Sequence, residues 1–146
     1  MALLKPVRSG QYPLTAEFTW NFDDTIKEVG GTTVDMGKTN FNATVADVIN
    51  LPPGSVVISG VLYVTTAFDA ATYAVIVGDS GATNRYLSTA DRKGVATTNL
   101  TPTGYVNTGG LNISLGFTCA DTLTTGVARL VVTYVVQGKA NEAVPS

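Results

Sequence analysis

The sequence contains no histidine and only one cysteine among its 146 residues. Without histidine, a His-based catalytic triad, a Cys–His dyad and the commonest metal ligand in proteins are all excluded. A zinc site would have to be built mainly from carboxylates, which is an unusual ligand set. Cys119 has no partner for an internal disulfide, and its place on the apolar side of a strand pattern predicts a buried thiol.

Charged residues are also scarce, at 14% of the chain against roughly 25% in ordinary soluble domains. The formal net charge of −2 provides no general basic field, so we expect no nucleic-acid partner. No apolar run is long enough for a membrane-spanning helix, and the first residues lack the apolar centre of a secretion signal. We therefore expect a soluble protein that is synthesised in the cytoplasm and has no membrane partner.

Apolar residues make up 45% of the chain and threonine occurs 22 times. Threonine suits the half-exposed face of a pleated sheet. A weakly charged, hydroxyl-rich surface is also typical of a protein that is covered by its neighbours in an assembly. The composition therefore favours a strand-rich fold, an assembled protein, or both.

The length predicts one domain. We divide the chain into an N-terminal arm (1–13), a β-sandwich domain (14–138) and a flexible C-terminal tail (139–146). The arm has no acidic residue and no clear periodicity, and its apolar groups would gain by docking on a partner. The residues that we expect to make contact are Leu3, Leu4, Lys5, Val7, Arg8 and Tyr12.

The stretch 51–79 is the part of the sequence that most resembles β-structure. Turn signals at both of its ends bracket two β-prone segments, 55–67 and 72–77. Because side chains alternate between the two faces of a strand, the even positions of the first segment predict a core face. That face would carry Val56, Ile58, Leu62 and Val64. The opposite face would carry Ser55, Ser59, Tyr63 and Thr65, together with Val57 and Val61.

Strand patterns recur along the rest of the chain, and turn signals separate them at the spacing typical of β-sandwiches. They lie at 14–22, 26–29, 32–36, 41–51, 95–100, 111–119 and 127–137. Residues 85–91 are instead predicted to form a turn or two of helix. The expected fold is all-β, a jelly-roll-like antiparallel sandwich of two sheets with an extended N-terminal arm.

Gly37-Lys38-Thr39 resembles the end of a phosphate-binding loop. Such a loop needs a glycine five residues before Gly37, where Thr32 stands, and the residues that follow do not resemble a helix. The sequence therefore argues against a nucleotide cofactor.

Several carboxylates could be imagined as calcium ligands or as a catalytic pair. Asp69, Asp79 and Asp91, with Asn84, supply oxygen ligands, but aspartate beside glycine is more often turn chemistry. Glu17 and Asp47 could act as paired acids in glycoside hydrolysis, although nothing in the sequence brings them together. We expect no enzyme activity, no metal and no cofactor.

Aromatic side chains could form a platform for stacking on sugars. The candidates are Trp20, Tyr63, Tyr73, Tyr86 and Tyr105. Trp20 lies on the apolar side of its strand, so packing in the core is the more probable role by the alternation pattern.

The order of several motifs resembles a known group of virion proteins. These motifs are LPPGSVVISG (51–60), Thr65-Thr66-Ala67, VGDSGATNRYL (77–87), Gly109-Gly110 and GVARLVVTYVV (126–136). Together they resemble the small capsid decoration, or cement, proteins of tailed-bacteriophage heads and related head-fibre proteins. The resemblance extends over residues 45–137, and its motifs are structural rather than chemical.

This resemblance implies a jelly-roll sandwich that assembles as a homotrimer on the outer surface of the virion capsid. It also implies that the protein is made in the host cytoplasm, that its partner is the major capsid protein, and that it clamps neighbouring capsid subunits without catalysis. The N-terminal arm would then lie over capsid subunits. We further hypothesise that the trimer forms through the sheet face that carries Val57, Val61 and Tyr63 or through the one that carries Thr133 and Val135.

Two other functions remain open at this point. The first is a host-recognition module that binds a glycan through loop residues such as Tyr86 or Tyr105. The second is a polysaccharide-degrading enzyme, which would need two apposed acids and a cleft.

Overall fold

The computed structural model describes residues 13–38 and 44–136. Those residues form eleven strands and no helix, so none of them forms a helix that could cross a membrane. The strands are β1 (Leu14–Asn21), β2 (Thr25–Lys27), β3 (Thr33–Asp35), β4 (Thr44–Ile49), β5 (Ser55–Thr66), β6 (Tyr73–Asp79), β7 (Ala82–Asp91), β8 (Ala96–Asn99), β9 (Val106–Asn107), β10 (Ile113–Cys119) and β11 (Val127–Val136). The predicted contact residues of the arm, and the predicted tail, lie outside the described residues.

Two antiparallel sheets form a sandwich. Sheet A has the order β1-β11-β5-β8, with β9 also paired to β5, and sheet B has the order β4-β10-β6-β7. Strands β2 and β3 form a separate hairpin around Gly31, whose φ of 93° suits glycine. The predicted all-β, two-sheet architecture and the hairpin at Gly30-Gly31 are confirmed.

The core lies between the inner faces of the two sheets, and Trp20 is at its centre with no exposed surface. Its ring lies edge-on to Phe117 of sheet B at 5.5 Å and stacks with Phe18 at 5.7 Å. Its indole Nε1–H donates to the Tyr73 hydroxyl at 3.2 Å. The predicted core role of Trp20 is confirmed. Tyr73 is also fully buried, so neither ring is available for a sugar.

A β-bulge in β5 changes the predicted assignment of its faces. Thr133 of β11 lies opposite Ser59, but the next residue, Tyr134, lies opposite Val57. Ile58 is therefore an extra residue in the β5–β11 ladder. Because side chains alternate along a strand, one inserted residue reverses the inward and outward positions on either side of it.

The correction concerns the first half of β5. Leu62 and Val64 face the core as predicted, but Ile58 is 43% exposed and Val56 is only half-buried, so both predictions of core packing were wrong. Val57, predicted to lie on the outer face, is 2% exposed and packs in the core. Its side chain is therefore not available on the surface where a trimer contact was predicted.

The helix predicted at 85–91 is absent, because these residues belong to strand β7. The strand pairs antiparallel with β6 and buries Tyr86 and Leu87. Pairing with β6 and burial of two large side chains outweigh the weak helical preference of a short segment. Two shifts of register along β7 disturb the period-2 pattern, which is why alternation failed to identify it.

Candidate assembly surfaces

The outer face of sheet A carries a strip of β-branched side chains, which we call the valine strip. Val61 lies opposite Val131, and Val56 lies opposite Val135, so the two central strands contribute equally. These four side chains are half-buried in the isolated chain, and Ile58 projects beside them from the bulge. The valine strip therefore consists of Val56, Ile58, Val61, Val131 and Val135.

Polar and aromatic groups flank the strip on the same face. Arg129 lies opposite Tyr63, with its guanidinium carbon 5.9 Å from the ring centroid. Its Nη2 also contacts Glu17 Oε2 at 3.3 Å across β1 and β11. Thr133, opposite Ser59, lies between the two valine pairs, so one polar row crosses the strip.

Four of the five residues predicted to form the trimer contact thus share one face, namely Val61, Tyr63, Thr133 and Val135. Sequence reasoning missed Val56 and Ile58, because the bulge that turns them outward leaves no local signal. Val131 could have been found, since it lies between Arg129 and Thr133 in the outward series of β11.

Sheet B carries a groove of about 390 Å³ on its own outer face. Gly116 contributes to its floor, and a Cβ added there would lie 2.5 Å from Cγ1 of Ile76. A larger residue at Gly116 would therefore displace the neighbouring strand's side chain. The groove has no charged residue in its lining, which consists of Val45, Ala74, Ile76, Thr83, Thr89, Gly116, Phe117 and Thr118.

The carboxylates considered as calcium ligands instead accept hydrogen bonds at separate places in the fold. Asp79 is buried and accepts the amides of Gly81 and Ala82 at 2.9 Å each, as well as Arg85 Nε at 2.6 Å. Arg85 in turn lies 3.6 Å above the Tyr105 ring. In the described ranges no group of three His, Cys, Asp or Glu side chains is placed to hold a metal ion.

Asp69 and Asp91 organise loops at the opposite end of the sandwich from Asp79. Hydrogen bonds from the Thr124 hydroxyl and amide, and from the Thr125 amide, lower the pKa of Asp69 to about 2. The amides of Tyr73 and Lys93 likewise lower the pKa of Asp91. Both carboxylates accept hydrogen bonds that hold loops in place, in agreement with the turn chemistry expected of them.

The remaining predicted groups serve local structure. Glu17 faces Arg129, whereas Asp47 accepts Asn112 Nδ2 at 3.1 Å. Lys38 of the phosphate-loop-like motif is 2.9 Å from Asp35, and Thr39 lies outside the described residues.

Neither of the two tyrosines considered as loop residues for glycan binding has a fully exposed ring. Tyr86 is buried, and this burial raises its pKa to about 12. Tyr105 is half-buried, with Arg85 over its ring.

No protein-family model matches the chain, and no curated protein matches it. Solved structures of phage capsids do contain similar chains. One in the capsid asymmetric unit of cyanophage Pam1 has a TM-score of 0.61 and 25% identity, covering 92% of both chains.

Two further similar chains come from capsid structures of other phages. One, from the acidic stable capsid of Helicobacter pylori bacteriophage KHP30, has a TM-score of 0.55 at 20% identity, covering 91% of this chain and 94% of that one. One from the capsid of Ralstonia phage GP4 has a TM-score of 0.51 at 14% identity, covering 96% of this chain and 92% of that one.

The predicted jelly-roll-like sandwich is thus confirmed as a fold that occurs in phage capsids. The similarity supports a structural role in the virion and assembly with other capsid components.

Proposed function

We propose that this chain is a non-catalytic structural protein that binds the outer surface of a phage capsid and bridges neighbouring capsid subunits as a homotrimer. The observation that carries the proposal is the overlap of more than nine-tenths of the chain with a chain of the cyanophage Pam1 capsid asymmetric unit. The major capsid protein is the proposed partner.

The valine strip is the proposed subunit contact. It is an uncharged, mainly apolar surface that the Thr133–Ser59 pair crosses, and a lack of charged residues is typical of the centre of an interface. Tyr63 and Arg129 stand at that border, and these residue types are enriched where binding energy concentrates.

In this proposal the groove on sheet B is not the surface that the valine strip of the neighbouring subunit contacts. A closed ring of three needs two complementary patches on each subunit that both face toward the ring, rather than in opposite directions. The strip and the groove lie on opposite outer faces of the sandwich, so stacking one on the other would build an open filament. The strip must therefore meet a lateral surface of the next subunit.

Light scattering on the purified full-length chain, followed by mixing with empty heads of the parent phage assembled without this protein, tests the proposal. We expect a mass of three chains and co-sedimentation with the heads. Val61→Asp should give a monomer because it places a charge in the strip. Val95→Asp is the matched control, since Val95 is 67% exposed in the loop between β7 and β8, and it should leave the trimer intact.

The capsid contact of the arm is tested by removing residues 1–12. The shortened protein should remain a trimer but no longer sediment with heads. Full binding by the shortened protein would remove Leu3, Leu4, Lys5, Val7, Arg8 and Tyr12 from the proposed contact, and a monomer that ignores heads would overturn the function itself.

A further inference from the structure

The two long sides of the sandwich differ in the hydrogen bonds that their edge strands make. On the side where β7 and β8 meet, the Tyr86 carbonyl accepts the Thr101 amide at 2.9 Å and the Thr101 hydroxyl at 3.1 Å. Arg92 Nη2 donates to the Ser88 carbonyl at 3.1 Å. Two carbonyl groups on the β7 edge, those of Tyr86 and Ser88, thus already accept hydrogen bonds and are less available to another strand.

The opposite side is formed by β1 of sheet A and β4 of sheet B. Strand β1 is the terminal strand of sheet A and pairs only with β11. Across residues 13–38 and 44–136, no other strand or loop forms a backbone hydrogen bond with Leu14–Thr19. Within the part of the chain that the structure describes, this edge is therefore a row of backbone groups without a hydrogen-bonded partner, to which an extended chain can bind.

The inner side chains of β1 are also incompletely covered. Trp20 is fully buried, but Leu14 on the same face of the strand is 45% exposed. Ala16 and Phe18, between them, are half-buried, as is Val48 of β4. An added strand would cover these side chains with its own alternate residues, which would extend the apolar core.

The outward-facing side chains of β1 indicate which charge a segment bound at this edge should carry. Thr15 and Thr19 are uncharged, whereas the Glu17 side chain remains 58% exposed despite its contact with Arg129. A lysine or arginine on an added strand would form an ion pair with the solvent-exposed side of this carboxylate, because opposite charges on neighbouring strands attract each other.

We propose that the open edge of β1 binds an extended segment of a capsid subunit as an additional strand of sheet A. This inference rests on the proposed function. The segment is recognised by its backbone, by apolar residues at alternate positions beside Leu14, Ala16 and Phe18, and by a cationic residue opposite Glu17.

Segments of this chain fit the edge less well. Two β1 strands from two copies, paired antiparallel around Glu17, would bring two carboxylates together, which is unfavourable. The N-terminal residues have adjacent apolar pairs, Leu3-Leu4 and Pro6-Val7, instead of alternation. Pro6 also lacks the amide that a strand needs for pairing.

Hydrogen exchange of the full-length chain, free and bound to empty heads, tests the inference without a mutation. The amides within Leu14–Thr19 that do not bond to β11 should exchange at least about tenfold more slowly on heads, whereas the exchange of the β8 amides should not change. Binding to heads without slower exchange in β1 would overturn the inference and leave the proposed function standing. Absence of binding would overturn both.

A variant provides an independent test. Leu14→Lys places a charge in the apolar row and should reduce head binding about tenfold or more, as a buried unpaired charge would. Val95→Lys is the matched control and should bind normally. Protection of β1 in the free oligomer would identify a second copy as the occupant and would contradict the assignment to a capsid subunit.

Discussion

The Asp69 carboxylate fastens the loop after β5 to the loop after β10 by accepting both donors of Thr124. The hydroxyl lies 2.6 Å from Asp69 Oδ2 and the amide lies 2.9 Å from Oδ1. Asp121 reciprocates by accepting the Ala71 amide at 2.8 Å. Each of the two loops connects one sheet to the other, since β5 and β11 belong to sheet A and β6 and β10 to sheet B, and these bonds join the two connections at one end of the sandwich.

The hydrogen bonds that Asp69 accepts predict that the folded protein loses stability in acid. The pKa of Asp69 falls from 3.8 to about 2 on folding. A lowered pKa contributes stability that is fully present above 3.8 and is lost as the pH falls toward 2. Asp69→Asn should therefore lower the melting temperature at pH 6 and flatten its decline between pH 4 and pH 2.

The exposed Asp23 offers a control for this measurement. Asp23→Asn should leave both the melting temperature at pH 6 and the acid slope close to those of the parent protein. An unchanged acid slope in Asp69→Asn would show that the carboxylate does not act through its ionisation.

Gly126 should tolerate no side chain. Its φ is 143°, and a Cβ added there would lie 2.0 Å from Cδ1 of Phe68. Phe68 cannot move freely, because its ring stacks on Tyr73 at 3.9 Å. Gly126→Ala should therefore lower the free energy of unfolding by about 2–3 kcal/mol, measured by urea denaturation.

Gly94 provides the matched control for that substitution. A Cβ at Gly94 meets nothing within 4 Å, so Gly94→Ala should change the free energy of unfolding by no more than about 0.5 kcal/mol. Equal effects at the two glycines would contradict the predicted clash with Phe68.

The ion pair of Asp79 and Arg85 should contribute far more to the free energy of unfolding than the ion pair of Glu17 and Arg129. The Asp79 side chain is 3% exposed, whereas Glu17 and Arg129 are 58% and 48% exposed. Removing one partner of a buried pair costs about 3 kcal/mol, so we expect this loss in Arg85→Met. Arg129→Met should cost less than about 1 kcal/mol in the isolated chain, because water screens an exposed pair.

Tyr73→Phe should destabilise the core without changing its shape. The substitution removes the hydroxyl that accepts Trp20 Nε1–H and leaves a buried donor without that acceptor. The expected cost is about 1–2 kcal/mol, measured by urea denaturation with tryptophan fluorescence as the signal. Tyr63→Phe on the outer face is the control and should be close to neutral; a similar loss in both variants would exclude the Trp20 bond as the cause.

Alternation predicted strands well where the ladder is regular. In β1 and β10 the apolar residues recur at every second position, and both strands pair without a change of register along most of their length. In β5 the same rule identified the strand but assigned Val56, Val57 and Ile58 to the wrong faces, and in β7 it did not identify the strand; inserted residues change the register of both ladders. A bulge is defined by two strands together, and therefore no pattern in one strand can reveal it.

The candidate surfaces were predictable to a similar extent. Val61 and Tyr63 of β5, and Thr133 and Val135 of β11, lie on the regular part of their outward series, but only the strand pairing shows that the two sets share one face. Ile58 was missed because its exposure depends on the bulge. The open edge of β1 was also beyond prediction, since strand order depends on contacts between distant segments.

The sequence by itself determined the all-β class, the core position of Trp20 and the absence of histidine chemistry. Each follows from composition or from the period of a single strand. Only the tertiary structure decided that Ile58 faces outward and Val57 inward, that β1 is the terminal strand of sheet A among the described residues, and that Thr101 and Arg92 bind carbonyl groups of β7. These features depend on which strands become neighbours, and that choice is fixed by packing energies summed over the whole chain rather than by local preference.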